Sequence, residues 1–360
     1  MLFDLPSHEK LYAALVARDA RFDGQTYVGV ATTGIFCRIT CPARKPKIEN
    51  CRFYATIKEC IEAGFRPCKR CHPLRPAATA DPSINTLLTA LDADPQKRWS
   101  EKHLAELGYE LSTLRRTFKR QFGMTFLEMA RQRRLREGFE RLSEGGAVIA
   151  AQHDASFSSA SAFRRAFAKL LGCAPGVLHQ HALLCADWIK TPLGDMIAVS
   201  SRQHLHLLEF VDRKALPVEL RKLRKACNNN LGLGSFAPTE QIRAELAAFF
   251  AGRSAVFQTP LAMQGSAFTQ SVWQELRKIP VGHTVSYSEI ARRIKRPSAT
   301  RAVARANGAN QMALIIPCHR VVGADGSLTG YGGGLWRKQG LIEIEQQFLQ
   351  SPQHPHLPDA

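Results

Sequence analysis

No run of about 18 apolar residues occurs anywhere in the chain, and Met1, Leu2, Phe3, Asp4, Leu5 and Pro6 place no cationic region ahead of a long apolar stretch. A membrane-spanning helix and a secretory leader are therefore not expected, and the reading is a cytoplasmic protein. Acidic side chains are scarce too, with 31 Asp and Glu against 49 Lys and Arg, a formal net charge of +18. Such an excess suits a polyanionic partner. An acidic membrane would need an amphipathic anchor or a lipidation signal as well, and neither is present, so no membrane partner is expected. Ten cysteines in a reducing compartment point to metal binding and catalysis rather than disulfides. At 360 residues the chain is too long for one ordinary core and suits two to four domains.

What is present starts with a helical pattern over residues 9 to 20 (Leu11, Ala14, Leu15), closed by Asp19 with Asp23 and Gly24, and an alternating strand over 25 to 30. Cys37 and Cys41 follow in C-x3-C spacing, then Cys68 and Cys71 in C-x2-C spacing. Two close pairs on tight turns, separated by a loop, are what a tetrahedral four-thiolate site for one Zn2+ needs. Cys51 and Cys60 fall outside the spacing and read as buried thiols, although either could replace a ligand. Arg38, Arg44, Lys45, Lys47, Arg66, Lys69, Arg70 and Arg75 surround the cysteines, and their concentration favours phosphate contact over a merely solvated surface.

Residues 73 to 98 are rich in Pro and Ala with one short apolar helix, 84 to 91, and read as a linker. From 97 to 180 there are 15 basic and 8 acidic side chains and two helix-turn-helix patterns. In the first, Trp99 and Ser100 lead in and cap, and residues 111 to 118 form the candidate recognition helix. The second runs from Val148 through Phe157 to Phe167, and a helix from about 125 to 143 with Arg131, Arg133, Arg134 and Arg136 joins them. Beyond 177 to 186, residues 188 to 210 alternate as a hairpin around Thr191, Pro192, Leu193, Gly194 and Asp195. Residues 222 to 235 read as a loop, 241 to 250 as a helix, and the tail from Gln350 as disordered.

The densest chemistry is Ile315, Ile316, Pro317, Cys318, His319, Arg320, a thiol on a short buried turn. Thiolate is the nucleophilic form, and a nearby cation or proton acceptor brings a thiol pKa down from about 8.5. His319 and Arg320 supply both kinds of neighbour. Adjacent side chains point apart, so His319 is expected to act on Cys318 through a bound water.

Three resemblances follow from these residues. Phe268, Val272, Trp273, Thr284 to Tyr287, Arg301, Asn307 to Asn310, the Pro-Cys-His-Arg-Val core and residues 326 to 335 together resemble the O6-alkylguanine-DNA alkyltransferase family. The resemblance implies Cys318 as irreversible alkyl acceptor, His319 as its water-linked base and Glu345 as the acid holding the imidazole, with Glu343 as second candidate. It also implies Asn310 as brace of the turn, Tyr331 as active-site support, Tyr287 beside the phosphate of a flipped nucleotide and Arg301 filling the vacated stack. Gly332 departs from the pattern, since family members often carry a side chain there that reaches the base. Thr32 to Cys71 resembles the methyl-acceptor domain of the Ada family, which implies Cys37 as both zinc ligand and attacker of methyl phosphotriesters, with Thr33, Arg44 and Arg66 on the DNA. The paired Phe-x-x-x-Phe endings (Phe118, Phe122; Phe163, Phe167) resemble the AraC-type regulator domain. There the second unit departs at Gln152, where Ala is usual, and at Ser156, where Gly is usual, which favours backbone docking over base reading.

These resemblances imply a multidomain α+β chain. A small zinc-bound αβ domain spans 1–76, a linker 77–96 and an all-α double helix-turn-helix domain 97–178. The small αβ lobe of the alkyltransferase spans 186–263 and its helical, winged-helix-like DNA-binding and catalytic lobe 264–348. The implied activity is single-turnover removal of methyl groups from O6-methylguanine and O4-methylthymine by Cys318 and from phosphotriesters by Cys37. Methylated Cys37 would make the chain an activator of alkylation-response genes, with double-stranded DNA and RNA polymerase as partners. The alternative is a zinc-dependent AraC-type regulator with a weakly active repair domain.

Overall fold

A computed structural model describes residues 6–350 except 20, 21, 23–25, 56, 69, 72, 74–81, 179–181, 325–327 and 329. Asp23, Gly24, Lys69, Arg75, Gly326 and the tail beyond 350 therefore lie outside the described residues. The chain divides into two compact units, Met1–Asp94 and Pro95–Ala360.

In the first unit α1 (His8–Ala17) starts at Ser7, whose hydroxyl accepts from Lys10 N, and stops where Arg18 turns left-handed at φ 52°. That end comes earlier than the apolar periodicity suggests. β1 (Tyr27–Val30) and β2 (Ile35–Arg38) pair antiparallel across a turn that needs Gly34 at φ +64°. β3 (Cys51–Tyr54) lies on the far side of β1, and β4 (Arg66–Pro67) runs parallel to β2. The period-two alternation splits the sheet. Val28 and Cys37 pack with Ala14 and Leu15 of α1, whereas Tyr27 and Phe36 pack with Cys60 and Phe65 around α2 (Ile57–Glu62). α3 (Pro82–Ala93) contains the expected short helix.

The second unit opens with α4 (Glu101–Glu106), capped by Ser100, and α5 (Leu111–Phe122), capped by the Glu110 carboxylate. A capping box of Thr125 and Glu128 starts α6 (Phe126–Ser143), and α7 (Val148–Asp154) and α8 (Ala160–Leu171) complete the double helix-turn-helix. Next come β5 (Leu184–Ile189), β6 (Met196–Ser200), β7 (Leu205–Phe210), α9 (Leu216–Ala226), β8 (Leu231–Leu233) and α10 (Ala237–Phe250). The sheet order is β7-β6-β5-β8. Residues 222 to 235 are thus largely helix and strand rather than loop.

β5 and β6 form the expected antiparallel hairpin around 191 to 195, but without alternation: the sheet buries both faces, and every residue of β6 is buried. Leu184, Ala186, Trp188, Ile197 and Val199 pack against Phe139, Phe163 and Phe167 of the helix-turn-helix and against α9. Met196, Ala198, Leu208 and Phe210 face α10 and the remaining helices. A sheet covered on both sides reads as a continuous apolar run, which is why the alternation fails. Burying each large aromatic is worth about 1.5–3 kcal/mol, so the shared core is a substantial bond between the helix-turn-helix and the αβ lobe.

The rest of the unit is α11 (Ala267–Arg277), β9 (Val285–Ser286), α12 (Tyr287–Arg293), α13 (Thr300–Gly308), β10 (Val321–Val322) and α14 (Leu335–Gln350). β9 and β10 pair in parallel and hold the Cys318 turn beside α12. No helix among the described residues is long and apolar enough to cross a membrane.

Candidate metal centre and acceptor pocket

Because β4 pairs with β2, with Phe36 opposite Pro67 and Cys68 N donating to Phe36 O at 3.0 Å, the two cysteine pairs come side by side at one end of the sheet. Cys37, Cys41, Cys68 and Cys71 are all buried, and their sulfurs lie within 4.8 Å of one another. Tetrahedral Zn2+ at about 2.3 Å from each sulfur sets S···S near about 3.8 Å, so the four residues fit one zinc ion. Sulfurs this close cannot all ionise unaided: hydrogen bonding to Cys41 and Cys71 pushes the Cys37 thiol up, while Cys41 is drawn down as the acceptor. A central cation resolves that conflict.

Arg38 N donates to Cys71 Sγ and Arg70 N to Cys68 Sγ, each at 3.4 Å. Among the described contacts Cys37 receives no such backbone donor, which leaves its electron density least committed. It lines a cleft of about 640 Å³ together with Thr33, Arg44, Lys45, Arg66 and Arg70. Thr33, Arg44, Arg66 and Arg70 are exposed. Arg38 is a correction to the basic surface: it is 2% exposed and its Nε donates to Cys71 O at 3.2 Å, so it braces the site from inside. Cys51 is buried in the same core cluster, its thiol donating to Lys47 O, and Cys60 in the cluster on the other face of the sheet; neither joins the metal group.

In the second unit Cys318 and His319 sit in a single 3-10 turn with Arg320. Asn310 clamps it: Nδ2 donates to Ile316 O at 2.8 Å and to Cys318 Sγ at 3.0 Å, and Oδ1 accepts from Met312 N at 2.9 Å. His319 Nε2 meets Glu345 Oε1 at 2.8 Å, while Nδ1 is buried with no hydrogen-bond partner among the described residues. Glu345 also accepts from Arg320 Nε at 2.9 Å and from Gly282 N at 3.2 Å. Burial works to raise the Glu345 carboxyl, but His319 and Arg320 outweigh it and hold it down at about 2. Burial lowers His319, against the pull of Glu345. The imidazole is therefore neutral at pH 7, with the carboxylate on Nε2 and Nδ1 left as the basic nitrogen. Glu343 instead accepts from Gln339.

Two expectations are corrected here. Arg320 turns away from the thiol to Glu345 and to Ile279 O, so it is not the cation beside Cys318. Nor is the thiol acidic: burial pushes it up to about 11, with Asn310, Arg213 and Lys338 pulling the other way. A protonated thiol makes the base on His319 necessary.

Cys318 borders a cavity of only about 10 Å³, lined also by Glu209, Arg213, Asn307, Asn310, Tyr331 and Gly332. The Tyr331 hydroxyl and Asn307 Oδ1 are buried there with no hydrogen-bond partner among the described residues. Tyr287 OH donates to Gly330 O at 3.3 Å, and Arg301 is exposed on the first turn of α13. Lys338, Glu209 and Arg213 were not picked out in the sequence, and Asn307 entered only as part of a motif, without a role. Lys338 was the findable one, since 338 and 341 share a helix face with Glu345; its Nζ is buried and donates to Val321 O at 2.5 Å.

The helix-turn-helix surfaces are basic. Ser112, Thr113, Arg115, Arg116 and Lys119 of α5 are exposed, as are Arg164, Arg165 and Lys169 of α8. Within α6, Arg134 donates to Ser156 O and stacks on Phe157, and Arg136 is buried, so only part of the helix's charge faces outward.

Residues 10–73 match the family described as the metal binding domain of Ada, 104–181 a helix-turn-helix domain, and 267–347 the DNA binding domain of 6-O-methylguanine DNA methyltransferase. The regulatory protein ada of Salmonella typhimurium is 35% identical over 354 residues, 94% of this chain and 97% of that protein. The bifunctional transcriptional activator/DNA repair enzyme Ada of Escherichia coli is 35% identical over 353 residues, 94% of this chain and 96% of that one. A methylated-DNA--protein-cysteine methyltransferase of Methanosarcina mazei is 47% identical over 162 residues, 45% of this chain and 97% of that protein. With similarity running through the metal centre, the double helix-turn-helix and the acceptor pocket alike, the chain belongs to the Ada family.

Proposed function

We propose that the chain is a methylated-DNA–protein-cysteine S-methyltransferase with two acceptors and a transcriptional role. The observation that carries the reading is the Cys318 site, where a braced buried thiol stands next to a neutral imidazole backed by a buried carboxylate. His319 Nδ1 takes the Cys318 proton through one water. The thiolate attacks the methyl carbon of O6-methylguanine or O4-methylthymine, an S–C bond forms, the O–CH3 bond breaks, and its electron pair returns to the base, which is reprotonated. The product thioether has no leaving group that regenerates the thiol, so each site acts once.

Entry of a base requires more room than the cavity offers, and the glycines at 332 to 334 are the segment able to give way. Arg301 fills the stack left by the flipped nucleotide and Tyr287 lies by its phosphate.

In the first unit, bound Zn2+ keeps the four sulfurs deprotonated at neutral pH. Cys37 Sγ takes the methyl of a phosphotriester, leaving a diester anion, while Thr33, Arg44 and Arg66 hold the backbone. Methylated Cys37 then strengthens promoter binding through α5, and the chain, working in the cytoplasm, recruits RNA polymerase. We assign these parts to 1–76, 97–178, 186–263 and 264–348. Incubation with methyl-labelled DNA followed by peptide mass spectrometry tests the reading: label is expected on the Cys318 and Cys37 peptides. Its absence from the first defeats the repair assignment, and from the second the sensor assignment.

A further inference from the structure

Position 332 has no side chain, and Arg213, from the turn after β7, occupies the space beside it. A Cβ added to Gly332 would lie 2.8 Å from Arg213 Nε. Arg213 is 8% exposed, and its guanidinium pairs with Glu209 and stands 3.5 Å from Glu219 Oε1. It also donates to Asn310 O at 2.6 Å and to Gly308 O at 2.7 Å. Those carbonyls close α13, and Asn310 is the residue whose side chain reaches Cys318 Sγ. Arg213 and Glu209 both border the cavity at the thiol.

Two buried acids around one buried arginine are a poor source of stability, since apolar replacement of such groups is often neutral or better. Their placement on the wall of the reactive pocket calls for another role. Resting on the function proposed above, we infer that Arg213 is a positioning residue for transfer to Cys318, fixing the Asn310 brace from the αβ lobe and supplying, opposite Gly332, the fixed positive charge beside Sγ. The charge comes from outside the lobe that carries the motifs. The other groups facing the thiol are Glu209 from β7, which opposes Arg213, Lys338 from α14, and the neutral Tyr331 phenol. Burial brings Glu209 up to about 7 against the pull of Arg213, so the pair's net charge at the thiol depends on pH.

The test uses the full zinc-loaded chain. Single-turnover methyl transfer from O6-methylguanine DNA, and iodoacetamide labelling of Cys318 read by mass spectrometry, are followed from about pH 6 to about pH 10. Glu209→Gln removes only the negative partner and is expected to move both profiles to lower pH. Adding Arg213→Met to it leaves no unpaired carboxylate at 209 and is expected to move them back up by about one pH unit, with the rate near pH 7 about tenfold below that of the single variant. Arg213→Lys in the same background restores the lower profile but only part of the rate, because an ammonium cannot hold two carbonyls as the planar fork does. Coincident profiles for the single and the Met double variant, or rates that fall equally at every pH, would make Arg213 merely structural and overturn the proposal. Should the parent chain take no methyl on Cys318, the functional reading fails, and the iodoacetamide profiles still decide the part played by Arg213.

Discussion

Arg136 of α6 and Asp195 of the β5–β6 turn form a 3.1 Å ion pair, with the arginine side chain 4% exposed. The same carboxylate oxygen accepts from Trp188 Nε1 at 3.0 Å, and the Trp188 ring meets Phe139 edge-on with centroids 5.5 Å apart. A polar bond and an apolar one thus join the helix-turn-helix to the αβ lobe at a single place.

Removing one side of that bond should be costly. Breaking a buried pair typically costs about 3–5 kcal/mol because a charge is left unpaired. Glu137 and Glu140 remain near Arg136, at 3.3 Å and 3.8 Å, so Asp195→Ala is expected to cost about 2 kcal/mol. Asp195→Leu combined with Arg136→Met should recover most of the loss. Urea unfolding of both variants checks this, and a double variant no better than the single would mean that the ionic bond itself contributes net stability.

The relay predicts a particular pH dependence. His319 is the base only while neutral, and burial depresses its pKa. Transfer to Cys318 should therefore persist below pH 6.5 and be lost only as the pH drops through the depressed value. Glu345 is a group whose folded pKa is lowered, to about 2. Its contribution to stability is fully present above the unfolded carboxyl value near about 4.3 and is lost as the pH falls toward 2. Glu345→Gln should slow single-turnover transfer about a hundredfold, the scale of general-base catalysis. It should also flatten the acid limb of a denaturation series, and a variant with the parent's acid limb would separate Glu345 from that stability.

The metal centre and the thiol turn were legible because their chemistry is local in sequence: two cysteine pairs a few residues apart, and Cys318 next to His319. Asn310 and Glu345 were reached through resemblance, and the structure brings both to the same turn. Arg213 and Glu209 were not legible, because a buried charge looks like any surface charge until the chain folds over it. Arg38, Arg134 and Arg136 show the converse, as basic residues read as surface that tertiary contacts enclose. The alternation expected over 188 to 210 failed for a related reason, since no property of the strand itself announces that a second domain will cover its outer face.

Ser156 lies where α7 turns toward α8 and holds φ at +53°. A non-glycine residue in that region costs roughly 1 kcal/mol, and the AraC-type pattern favours Gly there. Ser156→Gly is expected to stabilise the second unit by about 0.5 kcal/mol, the strain relieved being partly offset by the freedom glycine gains on unfolding. Thermal unfolding measures it. Unchanged stability would show that the hydrogen bonds at this corner, Ser156 N to His153 O and Arg134 Nη1 to Ser156 O, already offset the strain.

Chelation and methylation should act on the first unit in opposite ways. With four thiolates around Zn2+ the centre carries a charge of −2, and methylating one sulfur makes it −1. Relieving one unit of charge at about 7 Å from a phosphate, with an effective dielectric near 20, is worth roughly 2 kcal/mol, or about tenfold or more in DNA affinity. Chain methylated at Cys37 should accordingly bind promoter DNA at least about tenfold more tightly than unmethylated chain at low salt, with the gain shrinking as salt screens it. Removing zinc, or replacing Cys71 with Ala, should instead unfold the cysteine-bearing turns and abolish methyl uptake at Cys37. Uptake at Cys318 should survive, because its clamp, its relay and the Arg213 support of Asn310 all lie in the second unit. Fluorescence anisotropy across a salt series reads the affinity change, and equal affinities for the two forms at low salt would rule out charge relief as the switch.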